Sequence, residues 1–260
     1  MKYPDIQGKT AVVTGGSSGI GFAIAEMLAN QGAKVTLTGR SEERGAQATK
    51  RLRDQSDDVA FLRADSANYQ EISAALEVVA QQHGGIDILV SAGAEGPIGP
   101  RPFAQLTAQE IVDVFSPRFY GRIFPVHAAI PHMQANGGSI IMIGTDAART
   151  PTPGEAVIGA VGATVILMTK ALAREFGRWK IRVNAVAITL TSDTPSWDRI
   201  FSNKEFENKL FSKALERFPS GRAPTAGEVA NAALFLLSED AGQINGQTLS
   251  VNGGLSYGGW

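Results

Sequence analysis

Thr14-Gly15-Gly16-Ser17-Ser18-Gly19-Ile20-Gly21 joins an apolar run, Thr10–Thr14, to a helix-like stretch over residues 20–30. Glycines at such a junction permit a tight turn. They also let backbone N–H groups approach a pyrophosphate at the helix N-terminus. An ordinary strand-to-helix turn can use the same residues, so the surrounding chain must decide. Apolar runs alternate with helix-like stretches from end to end. Residues 34–38, 59–62, 86–90, 139–143, 181–186 and Thr248–Val251 bring the expected strands to seven. Continuous apolar strands separated by helices imply an α/β fold, a parallel sheet covered on both faces.

A chain of 260 residues buries roughly three quarters of its unfolded surface, so one core suffices. A single domain over residues 1–260 is expected. The absence of cysteine excludes disulfides, thiolate metal sites and cysteine nucleophiles, and is compatible with a cytoplasmic location. Lys plus Arg is 24 and Asp plus Glu is 25, a net charge of -1. That balance leaves no electrostatic footprint for nucleic acid or an anionic membrane. Met1-Lys2-Tyr3-Pro4-Asp5 has no apolar run behind its lysine, against a signal peptide. The longest uncharged apolar stretch, residues 156–168, falls short of the roughly 20 residues of a membrane span and reads as a buried helix. Thr107-Ala108-Gln109-Glu110 and Thr225-Ala226-Gly227-Glu228 are capping-box patterns that start helices. Residues 188–213 break the alternation and are rich in Ser, Thr, Asp and aromatics, as a lid or substrate loop would be.

The glycine turn resembles the Thr-Gly-x-x-x-Gly-x-Gly motif of the short-chain dehydrogenase/reductase family. Further matches run the length of the chain. Asp65-Ser66 resembles the family's adenine-contact pair. Asp87-Ile88-Leu89-Val90-Ser91-Ala92-Gly93 resembles its fourth strand and turn, and Ile181-Arg182-Val183-Asn184-Ala185-Val186 its sixth strand. Gly221-Arg222, Glu228-Val229-Ala230, Gly246-Gln247 and Val251-Asn252-Gly253-Gly254 resemble its C-terminal signature. The resemblance implies a single-domain Rossmann fold with a doubly wound seven-stranded parallel sheet. It implies cofactor contacts from Gly15, Ser17, Ser18, Gly19, Ile20, Gly21, Asp65, Ser66, Ala92, Gly93 and Thr194.

The second strand bears on the cofactor. An acidic residue about 20 residues past the turn would bind the ribose 2′-OH of NAD. Here Gly39 holds that place and Arg40 follows. A guanidinium can fork onto a 2′-phosphate, so NADP(H) is the expected cofactor. The alternative is that Arg40 only starts the helix beginning Ser41-Glu42-Glu43.

The family's chemistry uses a serine, a tyrosine, a lysine four residues later, and an asparagine. This chain departs at all four. With the register set by residues 168–173 and Arg182-Val183-Asn184, the tyrosine place falls on Ile158 and the lysine place on Gly162. The serine place falls on Thr145 and the asparagine place on Arg118. The proline-glycine that normally ends the sixth strand reads Ile188-Thr189. Realignment does not rescue the pattern, since residues 150–169 contain no tyrosine and no lysine.

Other groups are candidates for the lost chemistry. Thr145 can hydrogen-bond a carbonyl. Arg118 can bind an anion or polarise a carbonyl, but is a poor acid; it can equally pair with a nearby carboxylate. Asp146 donates a proton if buried, though a solvated turn aspartate is the favoured reading. Glu155 reads as a favourable charge at a helix start. Tyr120, two residues past Arg118, is expected to face another way. His83, His127 and His132 read as structural or surface residues, without the clustering a metal needs. Trp197 and Phe201 either wall an apolar substrate pocket or pack elsewhere.

Three functions compete. The first is an NADPH-dependent oxidoreductase on a small carbonyl or alcohol, with an atypical proton source. The second is a catalytically silent NADP-binding protein, a sensor or partner subunit. The third is a lyase or isomerase using Arg118, Thr145 and Asp146. Helix 156–168 resembles the surface on which family members form tetramers, so a homo-oligomer, tetramer or dimer, is expected.

Overall fold

The computed structural model describes residues 2–93, 96, 98–202 and 206–257. Seven strands form one parallel sheet: β1 (Thr10–Thr14), β2 (Lys34–Gly39), β3 (Val59–Arg63), β4 (Ile88–Ser91), β5 (Gly138–Thr145), β6 (Ile181–Ile188) and β7 (Thr248–Val251). Their order is β3-β2-β1-β4-β5-β6-β7. The chain winds outward from β1 in one direction, then crosses to β4 and winds in the other. The reversal opens a crevice beyond the carboxyl ends of β1 and β4, where doubly wound sheets bind ligands.

The expected strands all form, with shifted ends. The fourth starts at Ile88, because Ile86 and Asp87 instead tie the strand to its surroundings. The Ile86 amide donates to the His132 carbonyl, and the Asp87 carboxylate accepts from the Thr10 amide at 2.8 Å. β5 and β6 run on to Thr145 and Ile188, paired to their last residues.

Alternation within each strand explains why the runs read as continuously apolar. Ala11 and Val13 pack with α1 (Gly19–Asn30), α2 (Glu42–Arg53) and α8 (Ala226–Leu237) on one face. Val12, between them, packs with α3 (Tyr69–His83), α4 (Ala108–Met133) and α5 (Ala156–Phe176) on the other. Both faces are buried, so neither parity is polar. Both expected capping boxes are present, at Thr107 with Glu110 and at Thr225 with Glu228.

Two expectations need correction. The helix beginning at residue 156 does not stop at Met168. Lys170 points to solvent without breaking it, and a 24-residue helical segment, Ala156–Trp179, results. By length and composition alone it is apolar enough to cross a membrane. It packs on β5 and β6 instead, through Val161, Val165, Thr169 and Ala173. Nor is it wholly buried: Leu167 on its outer face is 68% exposed.

The segment 188–213 is not a simple loop. It carries α6 (Pro195–Phe201) and most of α7 (Phe206–Leu215), while residues 203–205 lie outside the described set. Leu190, Ile200, Phe211, Phe218 and Ala223 give it a small apolar cluster of its own. Thr194 caps α6 by accepting from the Trp197 amide at 3.2 Å. The Ser192 amide donates to the Pro224 carbonyl at 2.8 Å, which hooks the segment to the start of α8.

Candidate active site

β1 ends at Thr14, and the side chain of that residue prepares the crevice. Its Oγ1 donates to the Val90 carbonyl at 3.5 Å and accepts from the Gly93 amide at 3.1 Å. This draws the turn after β4 against the turn after β1. Gly15 completes the approach with φ of 65°, and a side-chain carbon there would lie 2.9 Å from Gly93 Cα. No other residue type fits that contact without moving the backbone. Ser18 sits at the N-cap of α1 and makes no side-chain cap hydrogen bond. The first amides of α1 therefore face the crevice, polarised toward an anion.

The crevice is a cleft of about 670 Å³. All twelve expected cofactor residues line it. Gly15, Ser17, Ser18, Gly19, Ile20 and Gly21 form one wall; Arg40, Asp65, Ser66, Ala92, Gly93 and Thr194 join them. Arg40 does not start α2: the N-cap is Ser41, whose Oγ accepts from the Arg44 amide at 3.3 Å. Arg40 precedes that cap, exposed at the cleft mouth. Arg44 also lines the cleft, a second cation the sequence reading did not name. Asp65 Oδ1 accepts from the Ala67 amide at 2.9 Å, which orients its carboxylate. Another hollow of similar volume, over α2 and β3, is open and shares no residue with this cleft.

The same cleft continues to the carboxyl ends of β5 and β6. There it gathers Arg118, Arg122, Thr145, Asp146, Glu155, Ile158 and Gly162. Arg118 is 9% exposed; its guanidinium donates to the Ile98 carbonyl at 2.7 Å and the Val114 carbonyl at 3.1 Å. Arg122, one turn on, donates to the Ile143 carbonyl at 2.7 Å and the Arg118 carbonyl at 2.8 Å. The 118–122 spacing puts both guanidinium groups on one helix face, the signal that could have found Arg122 from sequence.

Asp146 is not a solvated turn residue. It is 5% exposed. Its Oδ1 accepts from Ser250 Oγ at 2.8 Å, and its Oδ2 from Asn252 Nδ2 and from Ser256 Oγ at 3.1 Å. Both oxygens are committed to the C-terminal segment, which makes Asp146 an anchor and a poor candidate for delivering a proton into the cleft.

Glu155 is more than a charge at a helix start. It occupies the N-cap of α5 without capping it through its side chain. It keeps some exposure to the cleft, yet enough protein surrounds it to push its pKa up to about 7. Burial is the main cause, and the Glu207 carboxylate adds to it. A hydrogen bond from Thr152 and the Arg118 charge oppose the rise.

The departure at 162 is packed, not empty, while Ile158 lines the cleft. α5 lies close against the short helical turn Asp146–Ala148. A side-chain carbon at Gly162 would come within 2.6 Å of Thr145 Cγ2, and one at Gly159 within 2.6 Å of the Ala147 carbonyl oxygen. The space that a tyrosine–lysine pair would use is partly filled by this close approach.

The remaining candidates lie apart. Tyr120 stacks on Phe124 with centroids 4.8 Å apart and is 41% exposed. His127 Nδ1 meets the Tyr69 hydroxyl at 2.9 Å, and His132 lies 3.5 Å from Glu77. His83 closes α3 in its last turn. Trp197 lines the cleft and packs on Phe201 with centroids 4.5 Å apart; both join the apolar cluster of the 188–213 segment.

A family model described as enoyl-(acyl carrier protein) reductase matches residues 15–256. The chain belongs to the short-chain dehydrogenase/reductase family. It is 34% identical over 251 residues to the 3-oxoacyl-[acyl-carrier-protein] reductase of Chlamydia muridarum, covering 95% of this chain and 97% of the relative. A solved 3-ketoacyl-(acyl-carrier-protein) reductase from Brucella melitensis, complexed with NADH, superposes with a TM-score of 0.86. It is 28% identical and covers 97% of this chain and 100% of that one. A short-chain oxidoreductase from Pseudomonas aeruginosa PAO1, described as containing an atypical catalytic center, superposes at 0.88 with 28% identity and full coverage of both chains. This short-chain dehydrogenase/reductase thus keeps the family's fold over its whole length. Its cleft suits the nicotinamide cofactor of the family: the backbone cradle at Gly15, the uncapped α1 N-terminus and Asp65-Ser66 are all in place.

Proposed function

We propose that the protein is an NADP(H)-dependent oxidoreductase acting on a small carbonyl or alcohol substrate, with a proton source other than tyrosine. The observation that carries the reading is one continuous cleft with both ends furnished. The cofactor end retains a full cradle, and the opposite end holds two arginines, a threonine and a raised-pKa carboxyl.

Arg40 and Arg44 at the mouth, with no acidic residue at Gly39, favour a 2′-phosphate over a free 2′-hydroxyl. When bound, the nicotinamide supplies or accepts a hydride at the carbonyl carbon. Thr145 is placed to hold the carbonyl oxygen: its Oγ1 already accepts from the Ala147 amide at 3.2 Å, which leaves its proton for the substrate. Arg118 and Arg122 add positive potential where oxygen gains charge. Trp197 and Leu210, on the segment over the cleft, supply apolar walls.

A second reading is a catalytically silent NADP(H)-binding protein, favoured by Ile158 and Gly162 in the tyrosine and lysine places. Calorimetric titration with NADPH and NADH, followed by NADPH oxidation across a carbonyl panel, separates the two. Selective NADPH binding with turnover supports the oxidoreductase; the same binding without turnover supports the silent protein. Neither cofactor binding would overturn both. The exposed Leu167 on the outer face of α5 supports a homo-oligomer, checked by sedimentation.

A further inference from the structure

We propose that Glu155 is the catalytic proton donor of this cleft, delivering its carboxyl proton to the substrate carbonyl oxygen in place of the missing tyrosine. The assignment rests on the oxidoreductase reading above and deepens it.

Position is the first argument. Side chains on a helix tilt toward its N-terminus, so each covers the turn before its own Cα. A tyrosine at 158 would therefore present its hydroxyl over the turn that starts α5, where Glu155 stands. Residues 155 and 158 are three apart, about 4.5 Å along the helix axis, and 155, 158 and 162 share one face. All three line the same cleft. From residue 155 to residue 169, Glu155 is the only ionisable side chain in the sequence.

Elimination is the second. Arg118 and Arg122 stay protonated at any working pH and do not donate. Asp146 has both oxygens engaged by Ser250, Asn252 and Ser256. Thr145 is a hydroxyl with no base hydrogen-bonded to it among the described residues, suited to holding the oxygen and not to protonating it.

Electrostatics is the third. The groups that act on Glu155 come from three elements. Arg118 on α4 favours its ionised form, Glu207 on α7 disfavours it, and Thr152 in the preceding loop hydrogen-bonds it. With burial added, the carboxyl titrates at about 7. An acid matched to neutral pH is what general acid catalysis needs. An unperturbed carboxyl is too strong an acid to remain protonated there.

The step balances. The carbonyl carbon takes the hydride that bound NADPH supplies, and the carbon–oxygen π pair moves onto oxygen. That oxygen forms a bond to the Glu155 proton as the carboxyl O–H breaks. Carbonyl is reduced to alcohol, the cofactor is oxidised, and the Glu155 carboxylate beside Arg118 regains a proton from solvent.

The test compares wild type, Glu155→Gln and Glu155→Asp. NADPH consumption is followed from pH 5 to 9 with β-keto esters, 1,2-diketones and aryl ketones. NADPH affinity is measured by calorimetry. The Glu155 carboxyl is titrated by carbon-13 NMR in the cofactor-free protein. Expected is a loss of kcat of about 10²–10⁴-fold in Glu155→Gln with NADPH affinity retained. Wild-type kcat should fall above a midpoint near 7 that coincides with the NMR midpoint. Glu155→Asp should keep part of the rate with a displaced midpoint. An unchanged rate and pH profile in Glu155→Gln overturns the assignment while leaving the oxidoreductase reading standing. So does an NMR midpoint in the ordinary glutamate range. Wild type that binds NADPH but consumes none across the panel overturns the oxidoreductase reading, and this assignment with it.

Discussion

Gly162 and Thr145 are in mutual contact range that leaves no room for a side chain: a carbon added at Gly162 would stand 2.6 Å from Thr145 Cγ2 and 2.9 Å from Ala148 Cβ. The absent lysine is thus a repacked position. α5 packs tightly on the turn after β5, against Thr145, Ala147 and Ala148.

Restoring the familiar residues should therefore fail. Gly162→Lys, alone or with Ile158→Tyr, is expected to lower stability by about 1–3 kcal/mol through overpacking. It should not raise the rate of NADPH oxidation. Thermal unfolding and a steady-state assay check this. A faster enzyme with an unchanged melting temperature would mean that this packing opens readily.

Glu155 should burden the fold at alkaline pH. Its pKa rises from 4.5 to about 7 on folding, so the folded state binds more protons between those values. Stability then falls as pH rises through that window and is level above it. The neutral Glu155→Gln variant lacks this loss. Its melting temperature should exceed that of wild type by a margin that grows from pH 5 to 8. The full effect is at most about 3 kcal/mol, at roughly 1.4 kcal/mol per pH unit. Unfolding curves at pH 5, 6, 7 and 8 give the answer; a margin that does not grow with pH would contradict the raised pKa.

Asp146 should matter for stability and leave the pH profile in place. Asp146→Ala strands the donors of Ser250, Asn252 and Ser256, at a cost of about 1–3 kcal/mol for unsatisfied buried groups. Urea titration should show a lower midpoint, and limited proteolysis faster cleavage near the C-terminus. Asp146→Asn should keep the kinetic pH midpoint of wild type. A displaced midpoint would make Asp146 the titrating acid.

Arg40 should set cofactor choice. Arg40→Asp removes a charge-assisted contact, worth about 1.5–3 kcal/mol, and repels a 2′-phosphate. NADPH affinity should drop by roughly 10–100-fold while NADH affinity holds or improves. Calorimetry on both cofactors reads this directly. Equal losses for the two would place the role of Arg40 away from the 2′ position.

The strands, both capping boxes and the glycine turn were readable in sequence because each depends on neighbours a few residues away. Thr107 and Glu110, for instance, cap α4 within a single turn. The arginine pair was half readable: Arg118 came from register, but Arg122 needed the cleft to show that both belong to it. The uncharged stretch 156–168 marked only part of α5, because the helix runs on to Phe176 with the Lys170 side chain turned outward.

Local chemistry, then, settled the alternation of strands and helices, the phosphate-ready turn at Gly15 and the loss of the tyrosine and lysine. The protonation of Glu155 and the burial of Asp146 belong to the tertiary structure alone. The partners of Asp146 stand 104 to 110 residues away in sequence. Glu155 is tuned by residues from α4 and α7 that meet it only when the chain is folded. A carboxyl's charge depends on its surroundings, and no spacing along the chain records how deeply those surroundings exclude water.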